Sequence, residues 1–288
     1  MRYFRLIFLC IYLLHLAACS PIAAVGMLGS TIAKTVENSQ ENDNTVPART
    51  RTQQAYDRQE IAEANLNLGI AYMQQGQYQQ ALDKLNRARI AQPNYSPTYN
   101  ALGVLYQRLG EHEEAEKYYK HAIKLDPMDS NAFNNYGQFL CQSGRVDDAE
   151  NAFMESAGNP LYPTPEIAIT NAGICALNHG RTDVAEDYFK KALVKNSRFS
   201  PALIQMAELT YKRGEYLQAR GLLNSYLMDN RHNSKTLWLG IRIERELGDK
   251  NALSSYTMLL RNQFAGSKEA ELLKQSETGN QQSVTSQF

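Results

Sequence analysis

Histidines, cysteines and clustered acidic residues are the side chains of this 288-residue chain that could carry chemistry. Four histidines lie beyond residue 18, at positions 112, 121, 179 and 232. We identify no metal-binding pattern among them and predict that they are surface residues. Glutamates at positions 111, 113, 114 and 116 could exchange protons, but lysines follow them at helical spacing, at positions 117, 120 and 124. This pattern predicts a solvated helix face.

No group of residues has the arrangement of a nucleophile with its base, and the glycines follow a long period rather than a phosphate-binding loop. The sequence therefore predicts a protein that is not an enzyme and holds no metal. With 30 Lys and Arg against 30 Asp and Glu, the chain also lacks the basic surface that nucleic-acid binding requires. Its 43% apolar and 21% charged residues are typical of a globular protein.

The N-terminal residues have the features of an export signal. Arg2 and Arg5 precede the apolar stretch Leu6–Leu14. The following Leu-Ala-Ala-Cys resembles the lipobox of bacterial lipoproteins, which implies cleavage after residue 18 and a covalent lipid on Cys19. Serine at position 20 resembles the sorting signal for the outer membrane, with the chain on its periplasmic face. The alternative is an uncleaved membrane anchor, because residues 6–33 contain no Lys or Arg.

Two further segments lack apolar periodicity. Residues 19–57, with a polar run at 37–44, are predicted to be the lipidated N-terminus and a flexible tether. Residues 266–288 are predicted to be a disordered tail.

Between these segments the chain repeats itself. Glycines recur at positions 76, 110, 144, 180, 214 and 248, with spacings of 34, 34, 36, 34 and 34 residues. This period resembles the tetratricopeptide repeat, a helix-turn-helix unit. We therefore predict an all-α solenoid of six repeats, a superhelix with a concave binding groove, over residues 58–265. The predicted units are about 62–95, 96–129, 130–163, 166–199, 200–233 and 234–265.

Within each unit a small residue of the first helix is expected to let the second helix approach at an alanine. The glycines are Gly69, Gly103, Gly137 and Gly173, and the alanines are Ala81, Ala115, Ala149 and Ala185. The sixth unit departs from this pattern, with Ile241, Leu253 and Thr257 at the positions of the glycine, the alanine and the bulky residue that follows. Three prolines within residues 159–165 predict a rigid, non-helical elbow between units three and four.

The inward positions of the first helices predict a peptide-binding groove. They are Leu66, Ile70, Met73, Asn100, Val104, Gln107, Arg108, Asn134 and Gln138. This mixture of apolar and amide side chains suits a ligand that offers apolar side chains and peptide groups. For the apolar members the alternative is packing between helices.

Cys141 and Cys175 lie on the first helices of units three and four. Because these helices should be neighbours and an exported chain meets an oxidising compartment, we expect a disulfide between them. Two buried free thiols are the alternative.

Two stretches carry a closer resemblance, Asn134–Cys141 and Asn159–Leu177. Together with the lipobox and the six repeats, they resemble the PilF/PilW family of outer-membrane lipoproteins. The resemblance implies a pilotin of type IV pilus biogenesis, which promotes outer-membrane placement and multimerisation of the secretin, and it includes both cysteines. The implied partners are a secretin subunit, the outer membrane through the lipid, and other pilus proteins. The alternatives are a repeat lipoprotein that acts as a scaffold for peptidoglycan enzymes or outer-membrane protein assembly, and a hydrolase.

Overall fold

The computed structural model describes residues 50–285, with side chains to residue 278. The predicted signal peptide, Cys19 and most of the predicted tether lie outside the described residues. All contacts described below lie within the compact unit that begins at Ala55. The part of the chain that is described contains thirteen helices and no strand, as the all-α prediction requires.

The helices follow one another in antiparallel pairs joined by short turns. They are α1 (Arg51–Gln74), α2 (Tyr78–Ala91), α3 (Ser96–Leu109), α4 (His112–Leu125), α5 (Ser130–Gln142), α6 (Val146–Gly158), α7 (Pro165–Asn178), α8 (Thr182–Lys195), α9 (Ser200–Lys212), α10 (Tyr216–Leu227), α11 (Ser234–Leu247), α12 (Lys250–Gln263) and α13 (Lys268–Thr285). None of the helices described within residues 50–285 is both long and apolar enough to cross a membrane.

Each of the six periodic glycines lies in the turn inside a pair. At Gly110, for example, φ is 80°, a left-handed conformation that glycine adopts without a Cβ clash and that ends α3. The second helix of one pair packs on the first helix of the next, and first helices of consecutive pairs also meet, as α3 with α5 and α5 with α7. The six-repeat solenoid is therefore present.

The nearest contact of the first-helix glycines is with a bulky side chain of the second helix. A Cβ added to Gly69, Gly103, Gly137 or Gly173 would lie 2.6–2.8 Å from a bulky side chain of the second helix, too close for any real Cβ. Those side chains are Leu85, Tyr119, Phe153 and Phe189, all fully buried. The glycine therefore makes room for the bulky residue first, and at Gly69 the Ala81 carbonyl oxygen follows at 3.3 Å.

Repeat six keeps this contact at shifted positions. Gly240 lies against the Tyr256 ring, with an added Cβ 2.9 Å from it. The assignment of Ile241 and Thr257 to these positions is wrong by one residue. The 34-residue step from the earlier repeats predicts positions 241 and 257, whereas Gly240 and Tyr256 make the contact. Ile241 is instead buried against Leu237 and Leu260.

Both predicted ends of the repeat region are corrected. Helix α1 begins at Arg51 rather than near residue 58. Its first turns are helical but bury little surface, so no apolar periodicity marks them in the sequence. Helix α13 occupies most of the segment predicted to be disordered, and its Leu273 is 1% exposed in a cluster with Leu237, Ile241 and Leu260. One buried leucine docks this helix on the last repeat, which is too little apolar periodicity to recognise in a sequence.

The proline-rich elbow is non-helical, as expected, from residue 159 to residue 164. The Asn159 side chain ties it to the preceding repeat by donating to the Met128 carbonyl oxygen at 2.8 Å and to Ser130 Oγ at 3.0 Å. Helix α7 then begins at Pro165, a position where the missing N–H costs nothing.

The glycine contact is testable with two Gly→Ala substitutions. We expect Gly103→Ala to destabilise the protein by about 1–3 kcal/mol, since its methyl group would meet the Tyr119 ring at 2.7 Å. Gly221→Ala is the matched control, because Gly221 lies in α10 with no neighbouring atom within 4 Å of an added Cβ. It should stabilise by about 0.5–1 kcal/mol through helix propensity. Urea unfolding midpoints measure both, and an unchanged midpoint for Gly103→Ala would contradict the packing argument.

Candidate functional site

The first helices of repeats one to three enclose a cavity of about 360 Å³. Its apolar floor consists of Leu66, Ile70 and Met73 from α1 and Val104 from α3. Polar groups lie around this floor, and they are Gln74, Asn100, Arg108, Asp129, Asn131 and Asn135. An extended chain segment with apolar side chains would find both kinds of contact here.

A second cavity of about 410 Å³ continues the first toward repeat three. The two share Val104, Arg108 and Asn135, so they form one continuous groove. The second is lined mainly by amides, with Gln107, Gln138 and Gln142 beside the Tyr119 ring. Eight of the nine predicted groove residues line one or both cavities.

Asn134 is the exception, because it lines neither cavity. Its side chain is buried, and Asn134 Oδ1 accepts a hydrogen bond from Asn171 Nδ2 at 2.9 Å. The next residue, Asn135, lines both cavities and donates to Asn100 Oδ1 at 3.0 Å. The 34-residue period aligns Asn100 with Asn134, so the sequence carried no signal for Asn135.

Several groove amides already have partners. Gln107 Nε2 donates to Gln142 Oε1 at 2.8 Å, while Gln107 Oε1 accepts from the Tyr119 hydroxyl at 2.6 Å. Burial raises the pKa of Tyr119 above its usual range, which keeps this hydroxyl protonated as the donor. Within the described residues Gln138 has no side-chain hydrogen-bond partner and is available to a ligand.

The charged residues of the groove also bind the repeats together. Arg108 Nη1 donates to the Met73 carbonyl oxygen at 3.1 Å, which links α3 to the end of α1. Asp129 accepts from Ser96 Oγ at 2.6 Å and from the Ala132 amide at 3.0 Å, where it caps α5. Arg108 remains exposed and is the cation nearest to both cavities.

Cys141 and Cys175 form a disulfide in the structure, with their Cα atoms 5.9 Å apart. The bond joins α5 to α7 across the proline elbow. His179, four residues after Cys175, donates from Nδ1 to the Cys175 carbonyl oxygen at 2.9 Å. His112, His121 and His179 are exposed as predicted, but His232 is half-buried beside Tyr256.

Glu116 does not belong to a simple solvated face. Its carboxylate accepts from Tyr136 and Arg145 of repeat three, at 2.9 and 2.8 Å, and pairs with Lys120 at 2.8 Å. Bonding to Lys120, Arg145 and Tyr136 lowers the Glu116 pKa to about 2. This acidic residue thus ties repeat two to repeat three.

Paired helices, turn glycines and a groove on the first helices define a tetratricopeptide-repeat protein. Two tetratricopeptide-repeat family models match the chain, one over residues 60–128 and one over residues 100–163. Over 212 residues, 74% of this chain and 84% of the relative, the sequence is 31% identical to type IV pilus assembly protein PilF of Pseudomonas aeruginosa.

Solved structures lead to the same family. A P. aeruginosa PilF structure superposes with a TM-score of 0.66 at 30% identity, covering 76% of this chain and 99% of that one. PilW, a widely conserved type IV pilus biogenesis factor, superposes with a TM-score of 0.63 at 27% identity, covering 74% and 98%. This chain belongs to the PilF/PilW family of tetratricopeptide-repeat proteins of type IV pilus biogenesis.

The lowered pKa of Glu116 makes a pH-dependent contribution to stability. Because the folded-state pKa of about 2 lies below the ordinary value of 4.5, the contribution is present above pH 4.5 and is lost as the pH falls toward 2. We expect Glu116→Gln to lose less stability than the wild type over this interval. Thermal unfolding between pH 2 and 7 measures it.

Glu114→Gln is the control, since among the described residues Glu114 forms an ion pair with Lys117 alone, in its own helix at 3.2 Å. It should keep the wild-type pH profile. Equal profiles for Glu116→Gln and the wild type would show that Glu116 does not couple the repeats.

Proposed function

We propose that this chain is a pilotin, a lipoprotein of the outer membrane whose groove holds a secretin subunit and promotes its multimerisation. The observation that carries the proposal is the continuous groove across repeats one to three, with its apolar floor and amide rim. The relatives support the setting, since they are a type IV pilus assembly protein and a pilus biogenesis factor.

The groove suits an extended peptide segment. The bond between Asn135 and Asn100 uses one donor and one acceptor, and leaves the Asn100 amino group and the Asn135 amide oxygen for a ligand backbone. Apolar ligand side chains would pack on Ile70 and Val104, which are only partly buried. Burial of apolar surface would supply the affinity for the ligand, and the amides would fix the position of its backbone along the groove.

Anchoring of the chain in the membrane would allow this binding to promote multimerisation. A lipid on Cys19 would keep the repeats at the periplasmic face of the outer membrane, and subunits held in their grooves would be concentrated there. Multimerisation depends steeply on local concentration, so an adaptor without catalytic residues suffices. No cofactor besides the lipid is required.

The groove is tested by Ile70→Asp combined with Val104→Asp. Both side chains line the cavity, and losing two apolar contacts of roughly 1.5–3 kcal/mol each should weaken binding about a hundredfold or more. The assay is the dissociation constant for the purified secretin subunit, together with the amount of secretin multimer in outer-membrane fractions.

Ile90→Asp is the control, since Ile90 is 76% exposed on α2, outside the groove. It should bind and support multimers like the wild type. Unchanged secretin binding by the correctly folded groove variant would refute the proposal that the groove binds the secretin subunit. Secretin multimers at normal levels in a deletion strain, with altered peptidoglycan or outer-membrane proteins, would instead favour a scaffold role.

The anchor is tested by Cys19→Ser. We expect this variant to leave the outer-membrane fraction while its purified form binds the secretin subunit with unchanged affinity. Cys10→Ser, within the predicted signal peptide, is the control and should still fractionate with the outer membrane. If Cys19→Ser stayed in the outer-membrane fraction, the lipid would not be what places the chain there.

A further inference from the structure

Three side chains at the junction of repeats three and four bring metal-ligand atoms together outside the groove. The two sulfur atoms of Cys141 and Cys175 and a ring nitrogen of His179 all lie within 4.8 Å of one another. Cys141 comes from the last turn of α5, Cys175 from α7, and His179 ends α7. Two thiolates and an imidazole form a ligand set that zinc prefers.

His179 has one ring nitrogen free to bind a metal. Its Nδ1 must carry the proton, since the Cys175 carbonyl oxygen at 2.9 Å can only accept. Nε2 of the neutral ring therefore keeps its lone pair. Metal-bound histidines usually donate their other N–H to a carbonyl or carboxylate in this way, which sets the tautomer and holds the ring.

The backbone also suits a metal. Cys175 and His179 are four residues apart, so they lie on one face of a helix, one turn from each other. The Cα atoms of the two cysteines are 5.9 Å apart, so rotation of their side chains can separate the sulfurs to a metal-bridged distance of about 3.8 Å. Cys175 is 4% exposed whereas His179 is exposed, which gives an ion a path from solvent and leaves a fourth position for water.

We propose that the reduced chain binds one zinc ion through Cys141, Cys175 and His179, so that either a disulfide or a metal holds the junction of repeats three and four. The site is separate from the groove, and the proposal does not depend on the pilotin function. It assigns a structural role to His179, which otherwise lies in an exposed turn.

The exchange between the two states balances with a dithiol as the reductant. The dithiol gives two electrons and two protons to the Cys141–Cys175 bond, which breaks to two thiols while the dithiol closes to its own disulfide. Zinc then displaces the two thiol protons to solvent and binds the thiolates with neutral His179. Oxidation by a disulfide reverses both steps, with the two electrons passing to that oxidant and the zinc ion leaving.

The test uses the full chain, purified in detergent, in its oxidised form and after reduction by a dithiol that is removed without air. Zinc content and zinc affinity are measured, with cobalt as a spectroscopic probe of thiolate ligands. We expect one additional zinc per reduced chain relative to the oxidised chain, a cobalt spectrum with thiolate charge transfer, and a thermal midpoint that zinc raises in the reduced form only.

His179→Gln separates this site from simple binding by thiols. We expect its zinc affinity to fall at least about tenfold and the thermal stabilisation by zinc to disappear. His112→Gln is the matched control. His112 is exposed like His179 and begins α4, but among the described residues it has no cysteine ligand beside it. Cys141→Ser, which leaves the other cysteines in place, should lose the additional zinc.

Two results would overturn the proposal. One is a reduced wild-type chain that binds no more zinc than the oxidised chain while circular dichroism shows it still folded. The other is His179→Gln binding zinc as tightly as the wild type, which would mean that the cysteines act alone.

Discussion

The close contact between a first-helix glycine and a bulky second-helix side chain sets the geometry of every repeat that has one. An added Cβ at Gly103 would lie 2.7 Å from the Tyr119 ring, so any other residue would force the ring or the helices to shift. Tyr119 in turn lies in one buried cluster with Phe153 of repeat three and Ile169 of repeat four, so each contact also sets the position of the next repeat. Stability then accumulates along the solenoid through neighbouring repeats, because no helix pair buries its faces alone.

The groove follows from this arrangement. With the bulky side chains buried between the helices of a pair, first helices of consecutive repeats lie side by side, and their remaining side chains form the lining. Asn100 with Asn135, and Asn134 with Asn171, link these helices in succession. The amides therefore have two roles. They hold the wall of the groove together, and their remaining donors and acceptors are offered to a ligand.

The junction between repeats three and four is cross-linked at both its first and its second helices. The proline elbow interrupts the 34-residue period with two extra residues, and the disulfide joins the helices on either side of it. Arg181 donates to Asp147 at 2.6 Å, and the Tyr188 hydroxyl donates to Glu150, so the second helices are joined as well. A break in the repeat pattern is thus compensated by bonds that do not depend on it.

The sequence by itself determined the features that repeat. Helix pairs, turn glycines, the elbow and the cysteine pair all follow from spacing, because a 34-residue period reports which residues occupy equivalent places. It also indicated eight residues that line the two cavities, since equivalent positions on stacked first helices share an orientation.

Only the tertiary structure decided the features that depend on helix rotation or on single contacts. One residue along a helix turns a side chain by about 100°, so the choice between Asn134 and Asn135, or between Gly240 and Ile241, required the packed neighbours. Helix α13 has one fully buried side chain among its described residues, Leu273, and Glu116 reaches partners 20 and 29 residues away. Such contacts leave no period in the sequence, because they join residues that only the stacking of the repeats brings together.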